Sequence, residues 1–167
     1  MTQAPTETPT AQGYEPPRNV QFSVFLENRI GGLMELLKAL RAEALTLAGF
    51  SILDSTGHAV VRVLTSRSDL ARRLLRRHGL PFSEADVICV EMDDEPQLPL
   101  IFDPLLHAEL SLHYAYPLLV RPRGRPIVAC CCDDHILAGQ IIRKRGFTLM
   151  GENDLGENAT GAPEGLP

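Results

Sequence analysis

Tryptophan is absent from the 167 residues, and aromatic side chains of any kind make up only 5%. A sheet that binds RNA by stacking bases on aromatics is therefore poorly supplied. No run of about 18 apolar residues occurs, so no transmembrane helix is expected. Met1 to Pro17 lack the basic start and apolar centre of a secretory signal. The four cysteines never fall as Cys-x-x-Cys, which removes the usual zinc and dithiol signatures. An excess of one charge is missing as well. Glu7, Glu15 and Arg18 leave −1, and Glu152, Asp154, Glu157 and Glu164 give −4, together the whole net charge of −5. The stretch between is close to neutral, so neither a general nucleic-acid affinity nor a polyanionic surface follows.

Hydrophobic residues amount to 44%, enough for a core. The ends differ in composition: residues 1–18 are rich in Thr, Pro, Gln and Glu, and residues 153–167 in Gly, Glu, Asn and Pro. Both read as disordered tails. Between them the chain repeats itself. Laying Leu33 on Leu98, a shift of 65, brings Asn28 onto Asp93 and Leu45-Thr46-Leu47 onto Leu110-Ser111-Leu112. Two residues enter further on, so that Gly79 meets Gly146 at a shift of 67. Around it Leu70-Ala71…Leu74-Leu75-Arg76-Arg77-His78-Gly79 reads against Leu137-Ala138…Ile141-Ile142-Arg143-Lys144-Arg145-Gly146. Both matches in order imply a duplicated unit, with boundaries at residues 19–83 and 84–152.

Each half reads as strand, helix, two strands, helix, strand. Phe22, Val24 and Leu26 alternate as in a half-buried strand, and Leu33, Leu36, Leu37 and Leu40 mark an amphipathic helix over about Leu33 to Glu43. Leu45 to Leu53 and Ala59 to Leu64 are strands around a turn at Asp54-Ser55-Thr56-Gly57. Ser66-x-x-Asp69 resembles a capping box for the second helix, which Gly79 and Pro81 end. Phe82 to Met92 returns as a strand that closes one unit and opens the next. In the second half the first helix, about Leu98 to Glu109, holds Pro104, which should kink or shorten it.

The chemistry lies at the first strand–helix junction, Glu27-Asn28-Arg29-Ile30-Gly31-Gly32-Leu33. Glycines allow a close backbone approach, and the free N–H groups of a helix start favour a carboxylate. The same residues also read as a plain helix cap and a tight turn. In the second half the junction is Asp93-Asp94-Glu95-Pro96-Gln97, without glycine and with an N–H missing at Pro96.

With this element order and this loop the chain resembles the ACT domain family, ferredoxin-like regulatory modules that bind amino acids. The resemblance covers about Val20 to Gly151 as two copies. It extends to small bacterial tandem-ACT proteins and, more distantly, to the regulatory subunit of acetolactate synthase. It implies an α+β fold of two βαββαβ units, each an antiparallel sheet with helices on one face, packed side by side. It also implies a non-enzymatic, amino-acid-responsive regulator without a cofactor, with the ligand held at an interface between units. The implied site is Asn28, Ile30, Gly31, Gly32, Leu33 and Thr46, with Asp93 and Ser111 as a degenerate second site. The loop departs from the family's pattern by placing Ile30 where a Pro is common. A ligand-free subunit of an amino-acid biosynthetic enzyme is the competing reading.

Other groupings point less far. Cys130-Cys131-Cys132 follows Ile127 and Val128 in an apolar strand, where neighbours face opposite sides; core thiols are the plain reading and a metal site with Cys89 and His135 the alternative. Free cysteines without a signal peptide fit a cytoplasmic setting. Arg72, Arg73, Arg76 and Arg77 cover the outer face of a helix, which makes a solvated face rather than a nucleic-acid site. No serine elbow or Cys–His pair for nucleophilic catalysis can be read. Sheet edges of small α+β units expose backbone groups, so a two-fold homodimer is expected.

Overall fold

The computed structural model describes residues 8–10, 13–27, 31–55, 57–93 and 97–156. A short hairpin, β1 (Thr8–Thr10) and β2 (Gly13–Glu15), comes first. The first unit runs β3 (Val20–Glu27), α1 (Gly32–Ala42), β4 (Leu47–Ser55), β5 (His58–Thr65), α2 (Ser68–Arg77) and β6 (Phe82–Asp86). The second runs β7 (Ile88–Glu91), α3 (Leu98–His107), β8 (Leu112–Pro117), β9 (Ile127–Cys132), α4 (His135–Lys144) and β10 (Thr148–Met150), followed by a 3₁₀ turn at Glu152–Leu155. Both sheets are antiparallel and share one order, β4-β5-β3-β6 and β8-β9-β7-β10. The expected α+β fold of two ferredoxin-like βαββαβ units is therefore present.

The periodicities explain the two helix-side cores. Phe22, Val24 and Leu26 of β3 face Leu36 and Leu40 of α1 and Ala71, Leu74 and Leu75 of α2. Ile88 and Val90 of β7 meet Ile101, Leu105, Ala138 and Ile142 in the second unit, with Val128 and Cys130 of β9 between them. Each fully buried aliphatic side chain here contributes about 1.5–3 kcal/mol. The duplication extends to the backbone. Ala44 and Glu109, 65 residues apart, both take the left-handed conformation, with φ 51° and 57°. Gly79 and Gly146 share it at φ 64° and 88°. Ser66 N–H donates to the Thr46 carbonyl and Asp133 N–H to that of Ser111, both at 3.3 Å.

The arrangement of the units differs from the side-by-side expectation. Their helix-free faces pack on each other, giving layers of helices, sheet, sheet and helices. Ala48 and Leu64 of the first sheet are buried with Cys89, Tyr116, Ile127, Ala129 and Met150 of the second. These faces carry that apolar cluster, and a side-by-side arrangement would leave it in water. Segment 82–92, expected as one strand, is split at buried Val87, where the chain turns from the first sheet into the second. The crossing thus lies beyond the expected boundary at 83/84. At another edge, Leu119 N–H donates to the Ala48 carbonyl (2.8 Å) and Gly49 bridges Leu118. Such corners are how strands pass between packed sheets.

Three smaller expectations are also corrected. Ordered structure extends into both segments read as tails: Pro16 is buried against Gly139, and Leu155 is fully buried in the core between the sheets. Each offers apolar surface to a groove that would otherwise be wet. Second, α2 starts at Ser68, and neither Ser66 nor Asp69 caps it. The Glu152 carboxylate accepts from Ser68 N–H at 3.0 Å instead, while Asp69 pairs with Arg73 at 3.2 Å. Third, α3 continues past Pro104 and ends at His107, before the expected Glu109, with 10 residues against the 11 of its counterpart α1. The carbonyl that Pro104 leaves without its helical donor belongs to exposed Leu100, where water can reach it.

Candidate functional site

Asn28 and Ile30 lie outside the described residues. Gly31 is the N-cap of α1 at φ 94°, and a Cβ built there meets nothing within 4 Å, so the backbone angle rather than space calls for glycine. Its carbonyl accepts Glu35 N–H at 2.9 Å. Gly32 is buried and Leu33 packs on the first core. The N-cap residue, a glycine, has no side chain with which to cap the first turn itself.

Thr46 is half-buried and lies elsewhere. Glu27 and Ser55 both pair with His58, whereas Leu47, next to Thr46, pairs with Thr65. At about 3.3 Å per residue the length of β4 puts roughly 25 Å between the two ends of the sheet. A single chain therefore does not bring Thr46 to Gly31, Gly32 and Leu33.

The second copy is likewise out of register with the sequence match. Ile88 pairs with Cys130 as Phe22 pairs with Val63, a shift of 66. Asp93 consequently stands in the place of Glu27, and the second loop is one residue shorter than the first. Asp93 is held by Arg125 (2.9 Å) and by Gln97, whose Oε1 accepts Asp93 N–H at 2.8 Å. Ser111 is exposed, and its N–H donates to Asp133 Oδ1 (3.1 Å).

Sequence reasoning missed the charges around this second loop. Glu91 is 4% exposed and takes a two-pronged contact from Arg123, at 2.9 and 2.7 Å. A Glu in the apolar run Ile88-Cys89-Val90-Glu91 needs a cation, and Arg121-Pro122-Arg123-Gly124-Arg125 was the signal for it. Next to this pair a cavity of about 360 Å³ opens between the β7–α3 and α4–β10 loops. A cavity of about 560 Å³ lies where Pro16 and Pro17, the start of α2 and the C-terminal turn meet. A third, of about 230 Å³, sits between Pro16–Asn19 and His135. Gly31, Gly32, Leu33 and Thr46 line none of these three.

The remaining groupings are engaged structurally. Burial pushes the Cys130 thiol up to about 12 and Cys89 well above its ordinary range. Arg72 makes two bonds to Glu84 (2.6 and 2.7 Å), whose carboxyl is held below its usual range by that guanidinium. Arg77 pairs with Glu43. Among the described residues, no three His, Cys, Asp or Glu side chains converge as a metal site would require, and no helix is long and apolar enough to cross a membrane.

Comparison with known proteins follows the fold. The profile of the ACT domain pair matches residues 19–158. A crystal structure of a protein from Bacteroides thetaiotaomicron aligns with a TM-score of 0.76 at 20% identity, over 85% of this chain and 98% of that one. The ligand-free regulatory subunit of aspartate kinase from Thermus thermophilus aligns at 0.54 and 10% identity, over 86% and 99%. That of Thermus flavus gives 0.53 at 9%, over 79% and 94%. No curated protein matches the chain.

Proposed function

The chain belongs to the ACT domain pair family, and from this premise we propose that it is a regulatory protein that responds to a free amino acid. The observation that carries the reading is the left-handed Gly31 at the start of α1, an N-cap residue without a side chain of its own to cap the helix. The N–H groups of a helix start suit a carboxylate, and the Asn28 amide can serve both ends of a zwitterion. Ile30 and Leu33 flank the side chain. Of the expected units, 19–83 and 84–152, we propose that the first extends to the crossing at Val87, where the second begins. Thr46 reaches such a site only from a second copy, so the working form is a homodimer with the ligand at an interface between units. Binding would favour one arrangement of units by its differential affinity. Regulation rather than catalysis is its role, and four free cysteines fit a cytoplasmic setting.

The experiment is a thermal-shift screen against the common amino acids, followed by calorimetry. Asn28→Ala should weaken the best ligand by about 1–3 kcal/mol, because a polar ligand group loses its partner. Folding should suffer less, by about 1 kcal/mol at most if Asn28 also caps the helix. If no amino acid binds, the sensor reading fails. The row of exposed Phe25 and Leu53 on either side of half-buried Val60 then favours the competing reading, a ligand-free subunit docked on an amino-acid biosynthetic enzyme.

A further inference from the structure

The two helix layers form opposite outer faces of the molecule, since the sheets pack between them. Their charges differ in sign. Segments 28–46 and 66–80, which contain α1 and α2, hold eight Lys or Arg against three Asp or Glu, a net of +5. The matching segments of the second unit, 93–111 and 133–147, hold three against seven, a net of −4. Charges from other segments reduce the contrast. Glu84 reaches Arg72 and Glu152 accepts from Ser68 N–H, while Arg125 reaches Asp93, which leaves +3 and −3. Arg29, Asp94 and Glu95 lie outside the described residues, and without them the signs stand at +2 and −1.

The acidic face also carries exposed leucines. In α3, Asp103 and His107 are the polar side chains among 10 residues. Leu100 is 61% and Leu106 72% exposed. A helix that is apolar nearly all round is normally covered on every side. At the matching places, 65 residues earlier, α1 has Glu35 and Arg41, so the fold itself does not call for leucine there. The basic face offers what such a surface needs. Lys38, Arg41, Arg73 and Arg76 are exposed, and Met34 stands beside them on α1. Arginine and lysine stems cover apolar surface while their charged heads reach carboxylates.

We propose that a second copy of the chain covers α3. The α1–α2 face of one molecule docks on the α3–α4 face of the next. Arg73 and Arg76 of one copy answer Asp103 and Glu109 of the other, and Leu100 and Leu106 lie against Met34 and the basic stems. The joined surfaces differ, so each molecule in a stack keeps both kinds of face and assembly continues head to tail. This contact is separate from the row of Phe25 and Leu53 on the helix-free face, and it does not rest on amino-acid binding.

Light scattering of the full chain over a concentration series tests it. Charges interact over about 30 Å at 10 mM salt and about 3 Å at 1 M salt. The mean mass at low salt should rise with concentration to about twice its high-salt value or more. Arg73→Glu with Arg76→Glu should abolish the rise, and so should Asp103→Lys with Leu106→Lys. All four side chains are exposed, so the thermal midpoints should stay near that of the wild type. Leu119→Lys alters a leucine that is 64% exposed outside both helix layers, and should leave the rise intact. Each double variant keeps one working face. The two should therefore bind each other at low salt although neither grows alone. A mass independent of salt overturns the stacking, as does a rise that survives both double variants or a mixture that fails to bind. Should the wild type keep its high-salt mass but hold a DNA strand of about 20 nucleotides that Arg73→Glu with Arg76→Glu releases, the basic face serves nucleic acid and the stacking is overturned.

Discussion

Glu152 joins parts of the chain that are far apart in sequence. One carboxylate oxygen accepts from Ser68 N–H at 3.0 Å and the other from Val20 N–H at 3.3 Å, so a residue of the C-terminal turn closes α2 and the start of β3. Glu152→Ala should lower stability by about 1–2 kcal/mol, as loss of a helix cap does. Urea unfolding checks this, and a variant as stable as wild type would remove the role. The thiols make a second case. Burial raises Cys89 and Cys130, so little thiolate is present near neutral pH. Iodoacetamide at about pH 8 should therefore spare both in the native protein and label them after unfolding, as read by peptide mass spectrometry. Fast native labelling of Cys130 would contradict its place in the core. Cys130 was legible in the sequence because its alternation with Val128 is local. Glu152 was not, because a glutamate in a Gly- and Asn-rich segment carries no mark of partners 84 and 132 residues away. The register of Asp93 was also hidden, since only strand pairing reveals that the second loop is one residue shorter.

Elements were more legible than their ends. Leu36, Leu40, Leu74 and Leu75 face the core as their spacing requires, and both glycine stops occur where the repeat placed them. The start of β4 was displaced from Leu45 to Leu47 because Ala44 turns left-handed, and Leu45 is buried before the strand begins. Gly49 shows why this strand tolerates little change. A Cβ there would lie 2.7 Å from Leu118 Cδ2, 3.0 Å from Tyr116 Cε2 and 3.2 Å from Leu64 Cβ. Gly49→Ala should thus cost about 1–3 kcal/mol through overpacking between β4 and β8. At Gly139 a Cβ would meet Pro16 at 2.7 Å, so Gly139→Ala should first displace the N-terminal segment from α4. Limited proteolysis distinguishes the two. Gly139→Ala should speed cleavage before Val20 with the body intact, whereas Gly49→Ala should lower the unfolding midpoint of the whole molecule. Equal behaviour would argue against separate roles.

Which faces of the two sheets meet is a property of the whole molecule, and periodicity could not show it. Each strand announces an apolar helix side, but the opposite side mixes Leu64 with Gln21 and Arg62, and Tyr116 with Tyr114 and Cys131. These join only when the units meet. Tyr116 donates to Gln21 Oε1 at 2.8 Å, Gln21 Nε2 to Tyr114 at 2.9 Å, and the Arg62 guanidinium lies 3.7 Å from the Tyr114 ring centre. Above Arg62 the cover ends. The next row of the same face is Phe25, Val60 and Leu53, paired across β3, β5 and β4, and Phe25 and Leu53 are each 40% exposed. An apolar row continuing a buried interface marks an association surface, and a second copy of the chain, presenting the same row about a two-fold axis, matches it in chemistry. The protein should therefore be a dimer by light scattering. Phe25→Glu and Leu53→Glu should each shift it toward monomer with little loss of stability, since both side chains are exposed in one chain. A strict monomer at high concentration would end the homodimer reading, and with it the proposed ligand site shared between two copies.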